Sequence, residues 1–252
     1  GSSTIYGGCW LEHPLYSSLE LNELDPESHL REATRLTNLG FRPQSIDANF
    51  SKDNIISASV WFRPNSTGNF TSLFDGKSLA GWIGDPRFWG VKDGVIMGVC
   101  LNPPGDHAHS NLYTKTPYKN FVMKFSFKLV EGASGVMFRC LPQKNYYLRG
   151  CKAAISYGDF NYMGEMYDYS KSMVISTTDA EMEARLANTI KKDDWNECVL
   201  TVRGASAKVE FNGVEVSQTD KIGLPLGVVG FQLHGNTRTT VMINQVQIHP
   251  IP

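Results

Sequence analysis

Apolar residues at alternate positions dominate the chain from about residue 70 onward. Phe121, Met123, Phe125, Phe127 and Leu129 alternate with smaller or polar neighbours, as do Cys198, Leu200 and Val202, the period of a strand with one buried face. Similar runs predict strands over Phe88–Val91, Gly94–Val99, Leu226–Leu233 and Val241–Ile248. Asn212-Gly213 stands between Phe211 and Val214, a residue pair suited to a two-residue hairpin turn. Apolar parity switches from Val241 and Ile243 to Val246 and Ile248, which predicts a bulge at Asn244-Gln245. One short stretch, Asp179–Ala187, reads as helical. Many short strands separated by turn residues predict a mainly β chain built as a jelly-roll β-sandwich.

The first quarter follows another rhythm. Residues 1–23 show no usable period. Asp25 is placed to cap a helix, Pro26 suits its first position, and Gly40 suits its end. Leu30, Ala33, Leu36 and Leu39 recur every three to four residues and predict its buried stripe. Two strands follow, near Gln44–Phe50 and Ile55–Phe62, around a turn at Lys52-Asp53-Asn54. One helix on two strands buries too little apolar surface to stand alone. Residues 64–69, Pro-Asn-Ser-Thr-Gly-Asn, form a polar linker. The expected division is a small α+β unit over residues 1–66 and the sandwich over 67–252.

A hairpin over Ser134–Ile155 carries the candidate chemistry. Val136, Phe138, Cys151, Ala153 and Ile155 share its apolar face by parity, and Arg139 and Lys152 share the other. Along Val228–His234 the apolar face is Val229, Phe231 and Leu233, so Gln232 and His234 point away from it. If these strands join one sheet, Arg139, Lys152, Gln232 and His234 converge. His234 is a candidate acid or base near neutral pH, and Arg139 is a candidate hydrogen-bond donor to hydroxyls. Trp82 and Trp89 are either platforms for a flat ligand face or fillers of the core or a sheet edge. Glu165, Asp159 and Asp168 are nearby carboxylates, of which Asp168 joins His234 and Lys152 as the catalytic set; Arg139, Gln232 and Trp82 form the binding set.

The 252 residues carry a formal net charge of −1, which argues against a nucleic-acid partner. No apolar run reaches the ~20 residues of a membrane-spanning helix. None of the five cysteines forms a CxxC pair or has zinc-site spacing; Cys140 and Cys151, on neighbouring strands, are either a disulfide or two buried thiols. Asp106-His107-Ala108-His109 lies in a Pro-Pro-Gly loop and reads as a solvated turn rather than a metal site. No phosphate loop, dinucleotide fingerprint or nucleophile elbow is present, so neither cofactor nor metal is expected.

Two resemblances refine this picture. Asp25-Pro26-Glu27-Ser28-His29-Leu30-Arg31, Gly40-Phe41-Arg42-Pro43 and Ser57-Ala58-Ser59-Val60-Trp61-Phe62-Arg63-Pro64 resemble a helix–strand–strand repeat of large planctomycete proteins, which implies a longer parent chain with other domains. The sandwich resembles the 3-keto-disaccharide hydrolase family. The matching segments are Leu73-Phe74-Asp75-Gly76-Lys77-Ser78-Leu79-Ala80-Gly81-Trp82, Trp89-Gly90-Val91-Lys92-Asp93-Gly94-Val95-Ile96, Tyr118-Lys119-Asn120-Phe121, Ala133-Ser134-Gly135-Val136-Met137-Phe138-Arg139, Trp195-Asn196 with Asn212-Gly213, and Val229-Gly230-Phe231-Gln232-Leu233-His234-Gly235.

That resemblance implies a concanavalin-like jelly roll, a carbohydrate ligand, and cleavage of glycosides already oxidised at C3 of the sugar. It leans toward a periplasmic or extracellular setting, which the residues do not fix. Where the family's second hairpin strand typically reads Gly-Tyr-Glu-x-Gln-Ile, this chain has Gly150-Cys151-Lys152-Ala153-Ala154-Ile155. A carboxylate has become Lys152 and an amide Ala154, which implies reduced or altered turnover. The alternative is a carbohydrate-binding or protein-interaction module without catalysis.

Overall fold

The computed structural model describes residues 16–38, 41–51, 54–64, 70–101, 110–157, 163–177, 180–235 and 237–251. Backbone contacts divide the chain into two compact units, 1–69 and 70–252. The first holds β1 (Tyr16–Leu24), α1 (Pro26–Asn38), β2 (Arg42–Ser51) and β3 (Asn54–Pro64), with the strands in the order β1-β3-β2. Asp25 Oδ1 accepts the Glu27 and Ser28 amides at 3.1 and 2.9 Å, an N-cap that contributes about 1 kcal/mol. The buried stripe of α1 differs from the expected one. Leu30 is 67% exposed, and His29, Leu36 and the half-buried Ala33 face β3 and Phe41 instead. His29 tolerates burial because its Nε2 lies 2.6 Å from Ser59 Oγ, which satisfies the ring. β1 lies where no strand is predicted. The expected ends of the helix at Gly40 and of the turn at Lys52-Asp53 lie outside the described residues, as does Leu39.

The second unit runs through β4 (Thr71–Ser72), β5 (Trp82–Ile83), β6 (Trp89–Lys92), β7 (Val95–Cys100), β8 (Ser110–Thr114), β9 (Phe121–Glu131), β10 (Ala133–Pro142), β11 (Leu148–Ser156), β12 (Met166–Asp168), β13 (Met173–Ser176), α2 (Ala180–Thr189), β14 (Asn196–Arg203), β15 (Ser206–Phe211), β16 (Val214–Thr219), β17 (Val228–Leu233) and β18 (Thr239–Pro250). Two antiparallel sheets result. One is ordered β13-β12-β11-β10-β17-β8-β5, the other β16-β15-β14-β9-β18-β7-β6 with β4 alongside β18. Each contributes one apolar face to a shared core. Val136, Phe138, Ile155 and Phe231 from the first sheet meet Met123, Phe125, Leu200 and Val241 from the second. Phe125 meets Phe231 edge to face at 5.0 Å, a favoured aromatic geometry. This is a concanavalin-like jelly-roll sandwich.

Several predicted details are present. Asn212 and Gly213 both take positive φ, 48° and 80°, as a hairpin turn of this length requires. The β18–β9 register shifts between Asn244 and Gln247, at the predicted bulge. Motif residues fix this scaffold: Asn212 Nδ2 donates to Asn196 Oδ1 at 2.8 Å, and Asn212 Oδ1 accepts the Glu197 amide at 2.8 Å. Those segments of the sequence pattern therefore build the turn rather than a site.

Candidate functional site

The site lies on the outer face of the first sheet, around β11. Cys151, Ala153 and Ile155 enter the core, so alternation turns Lys152, Ala154 and Ser156 outward. In the antiparallel register Lys152 stands opposite Met137 on β10 and Tyr167 on β12. Gly164 and Glu165 extend that pairing, with the Ala154 amide donating to Glu165 O at 2.9 Å. His234 follows β17 and is anchored by its amide, which donates to Ala133 O at 3.1 Å. The result is a pocket of about 250 Å³, the scale of a single sugar ring. Ala133, Ser134, Ala154 and Ser156 are its small lining residues; Lys152, Glu165, Tyr167, Tyr169, His234 and Thr237 complete it.

Gly135 makes room for the lysine. A Cβ there would meet Lys152 Cγ at 2.8 Å and Ala153 O at 2.8 Å, so the Lys152 stem crosses a position that only glycine leaves open. Its ammonium sits 5.7 Å from the centre of the Tyr169 ring, within cation–π range. Burial lowers the Lys152 pKa, with Glu165 opposing that shift through its charge. Burial likewise raises Glu165, against the pull of Lys152. His234 Nδ1 lies 2.7 Å from Gly235 O. A carbonyl can only accept, so Nδ1 carries the proton and the neutral ring has its lone pair on Nε2. Burial lowers the His234 pKa and the Lys152 charge adds to that, while the Gly235 carbonyl works the other way. The Tyr167 and Tyr169 rings stand edge to face at 4.8 Å. Ser156 Oγ is buried with no hydrogen-bond partner among the described residues.

Lys152 and His234 thus meet in one pocket. The other four expected residues do not line it. Arg139 is fully buried, because β10 carries a bulge: Phe138 pairs with Cys151 and Leu141 with Arg149, leaving Arg139 and Cys140 against Gly150. Arg139 takes φ of 49° there. The slip carries its guanidinium to the second sheet's loops, where it donates to Leu224 O at 2.8 Å and to Asn120 Oδ1 and Gly204 O at 3.2 Å. The same slip separates the cysteines: Cys151 belongs to the core and Cys140 to a cluster with Met137 and Tyr113. Both are free thiols, and burial pushes Cys151 up to about 12.

Asp168 pairs with Cys151 and so faces the core side, 1% exposed; its Oδ1 caps a turn through the Ser170 amide and hydroxyl. Trp82 is a core residue, donating to Leu73 O at 2.6 Å and stacked on Phe231. Gln232 does occupy the outer face, but it is 1% exposed, beside Met137 Sδ and bonded to Tyr169. It supports the pocket wall from behind. Asp159 and the Asp106–His109 loop lie outside the described residues. Tyr167, Tyr169, Ser156 and Thr237 also line the pocket and were not selected from the sequence. Ser156 could have been found by extending the Lys152 parity along its strand, whereas Tyr167 depends on the β11–β12 register. Among the described residues no cluster of His, Cys, Asp or Glu could hold a metal ion, and no helix is long and apolar enough to cross a membrane.

Fold and pocket together define a carbohydrate-related jelly-roll domain. Residues 69–249 match the model of the 3-keto-alpha-glucoside-1,2-lyase-like domain, and the chain belongs to that family. No curated protein sequence matches it. Two crystal structures of Parabacteroides distasonis proteins assigned as glycosyl hydrolases share the fold. One is 20% identical with a TM-score of 0.54, covering 73% of this chain and 94% of that one. The other is 22% identical with a TM-score of 0.53, covering 73% of this chain and all of that one.

Proposed function

We propose that the sandwich binds a 3-keto sugar in the Lys152–Glu165–His234 pocket and cleaves its glycosidic bond. The chemistry begins with the ketone at C3, which acidifies the proton on C2. A base removes that proton, the C1–O bond breaks as the double bond forms between C1 and C2, and the departing oxygen is protonated. Water then adds to complete a net hydrolysis. The observation that carries this reading is the meeting of a base, a cation and a carboxyl group around one ring-sized pocket in a chain of this family.

His234 serves as the base. Its ring stays neutral at pH 7 because burial holds its pKa below 6.5. Lys152 faces the negative charge that develops on the C3 oxygen, where a half-buried cation acts more strongly than in water. Glu165, raised by burial, retains its proton to higher pH than an exposed carboxyl and delivers it to the leaving oxygen. Tyr167 and Tyr169 pack on the sugar ring, and Ser156 Oγ bonds a hydroxyl. A second reading, sugar binding without turnover, is favoured by Lys152 and Ala154, which stand where family members carry a carboxylate and an amide.

Purified protein incubated with 4-nitrophenyl 3-keto-α-glucoside should release nitrophenol above the rate in buffer, and should leave the unoxidised glucoside intact. His234→Ala should lower that release by about 100-fold or more, the usual scale for a lost acid–base group. Saturable binding without release selects the binding module. Neither binding nor release overturns both readings.

A further inference from the structure

Lys152 has a second chemical option in a pocket that receives a ketone. Its stem is drawn inward across Gly135, and its amine stays at the wall over Tyr169 instead of reaching out to solvent as surface lysines do. Glu165 acts on it through their charges and is not held against it as a contact ion pair among the described residues. Ala154, the neighbouring outward position on the same strand, is small and leaves space beside the amine for a carbon centre to approach. The two departures from the family pattern therefore form one arrangement: an amine and the room to use it.

We propose that Lys152 is a covalent catalytic residue, whose Nζ forms a Schiff base with the C3 carbonyl of the keto sugar. This rests on the 3-keto sugar reading above and deepens it. Neutral Nζ adds to C3, and the carbinolamine loses water with a proton from Glu165, leaving an iminium between Lys152 and C3. His234 removes the C2 proton, and the C–H electron pair becomes the enamine double bond between C2 and C3. That pair then shifts to form the C1–C2 double bond while the C1–O bond breaks; because the Glu165 proton has left with the water, the imidazolium takes over its role and protonates the leaving oxygen. Water hydrolyses the conjugated iminium, restoring the C3 ketone and the amine. One water is released and one consumed, nothing is oxidised or reduced, and the elimination yields the aglycone and a 1,2-unsaturated 3-keto sugar, to which water adds in the net hydrolysis above. An iminium draws electrons from C2 more strongly than a ketone does, which compensates for the missing carboxylate and amide. The lowered Lys152 pKa enlarges the neutral fraction that attacks.

The test is hydride trapping. The full chain is incubated with 4-nitrophenyl 3-keto-α-glucoside and sodium cyanoborohydride in mildly acidic buffer, where the iminium is reduced in preference to the ketone. The expected result is a mass gain of one reduced sugar adduct, mapped to Lys152 and absent without hydride. Lys152→Arg keeps the charge and every other lysine, so it should lose this adduct and about 100-fold or more of aglycone release. Release without an adduct at Lys152, an adduct on other lysines only, or a Lys152→Arg protein working at the wild-type rate overturns the Schiff base and leaves the 3-keto-glycoside cleavage reading standing. Absence of release, adduct and sugar binding together removes both. Lys152→Met, read by the same trapping and by its melting curve, separates a lost amine from a misfolded chain.

Discussion

Arg139→Ala separates two roles that the residue could have, one in the pocket and one between the sheets. The wild-type guanidinium makes three hydrogen bonds, to Leu224 O, Asn120 Oδ1 and Gly204 O, between 2.8 and 3.2 Å. Hydrogen bonds to a charged donor contribute roughly 1.5–3 kcal/mol each. Their sum overstates the loss, because among the described residues the charge is buried with no carboxylate partner and its Nε has no hydrogen-bond partner. Desolvation already depresses its pKa, and removing it relieves a penalty of several kcal/mol. What Arg139→Ala leaves behind is three acceptors short of a donor and a cavity at a fully buried position, so the net expectation is a loss of about 2–4 kcal/mol. At roughly 2–4 °C per kcal/mol for a domain of this size, the melting temperature should fall by about 5–15 °C. Arg139→Met fills most of the volume without the charge and should lose about half as much. Thermal and urea unfolding followed by circular dichroism measure both. Affinity for the keto sugar, measured well below the melting temperature, should stay within about twofold, a few tenths of a kcal/mol. An Arg139→Ala protein that melts like wild type but has lost sugar affinity would refute the argument and restore Arg139 to the pocket.

Three further outcomes are expected. Gly135→Ala places a Cβ 2.8 Å from both Lys152 Cγ and Ala153 O, so it should destabilise by about 1–3 kcal/mol and, in folded protein, cut aglycone release by displacing the lysine; unchanged release would mean that the stem is not fixed. Tyr167→Ala removes one aromatic wall and should raise the sugar Kd by about 2- to 10-fold, the range for a lost ring contact of ~0.5–1.5 kcal/mol. The His234 ring titrates below its ordinary 6.5, so activity that depends on the neutral base should be level around pH 7 and fall only as pH drops through that depressed value. Stability follows the same sign: the unfolded ring takes up its proton first as pH falls below 6.5, so acidification through this window favours unfolding. A pH–rate midpoint above 6.5 that vanishes in His234→Ala would contradict this.

The sandwich was legible because its strands bury one face each, and alternation records that directly. The bulge at Asn244-Gln245 showed itself through a visible switch of apolar parity. The bulge at Arg139-Cys140 left no such trace, because cysteine is apolar enough for either face and the flanking Leu141 is 47% exposed. One hidden extra residue therefore moved Arg139 from the expected site to the gap between sheets. Asp168 and Tyr167 were exchanged for a related reason: which of them shares a face with Lys152 depends on the β11–β12 register, which no local pattern encodes. β1 was missed because its alternation is weak and Leu19 is 42% exposed. On α1, leucines attracted the stripe away from His29, whose burial depends on Ser59, thirty residues distant. That Lys152 and His234 line one pocket was legible because the outward direction of each follows from parity along its own well-patterned strand.

The pocket is hollowed by omission. Ala154 and Ser156 are short outward residues on β11 beside the longer Lys152, and Gly135 pairs with Ala154 on one side and Gln232 on the other. Depth is thus set by side-chain length at a few outward positions of an otherwise rigid sheet, and not by the length or closure of a loop. Such a cavity can be resized one residue at a time: a longer side chain at Ala154 would fill it from the floor without disturbing the core face, whose residues alternate with these along the same strands. Selectivity for ring size and substitution can therefore drift rapidly in this architecture while the fold beneath stays constant.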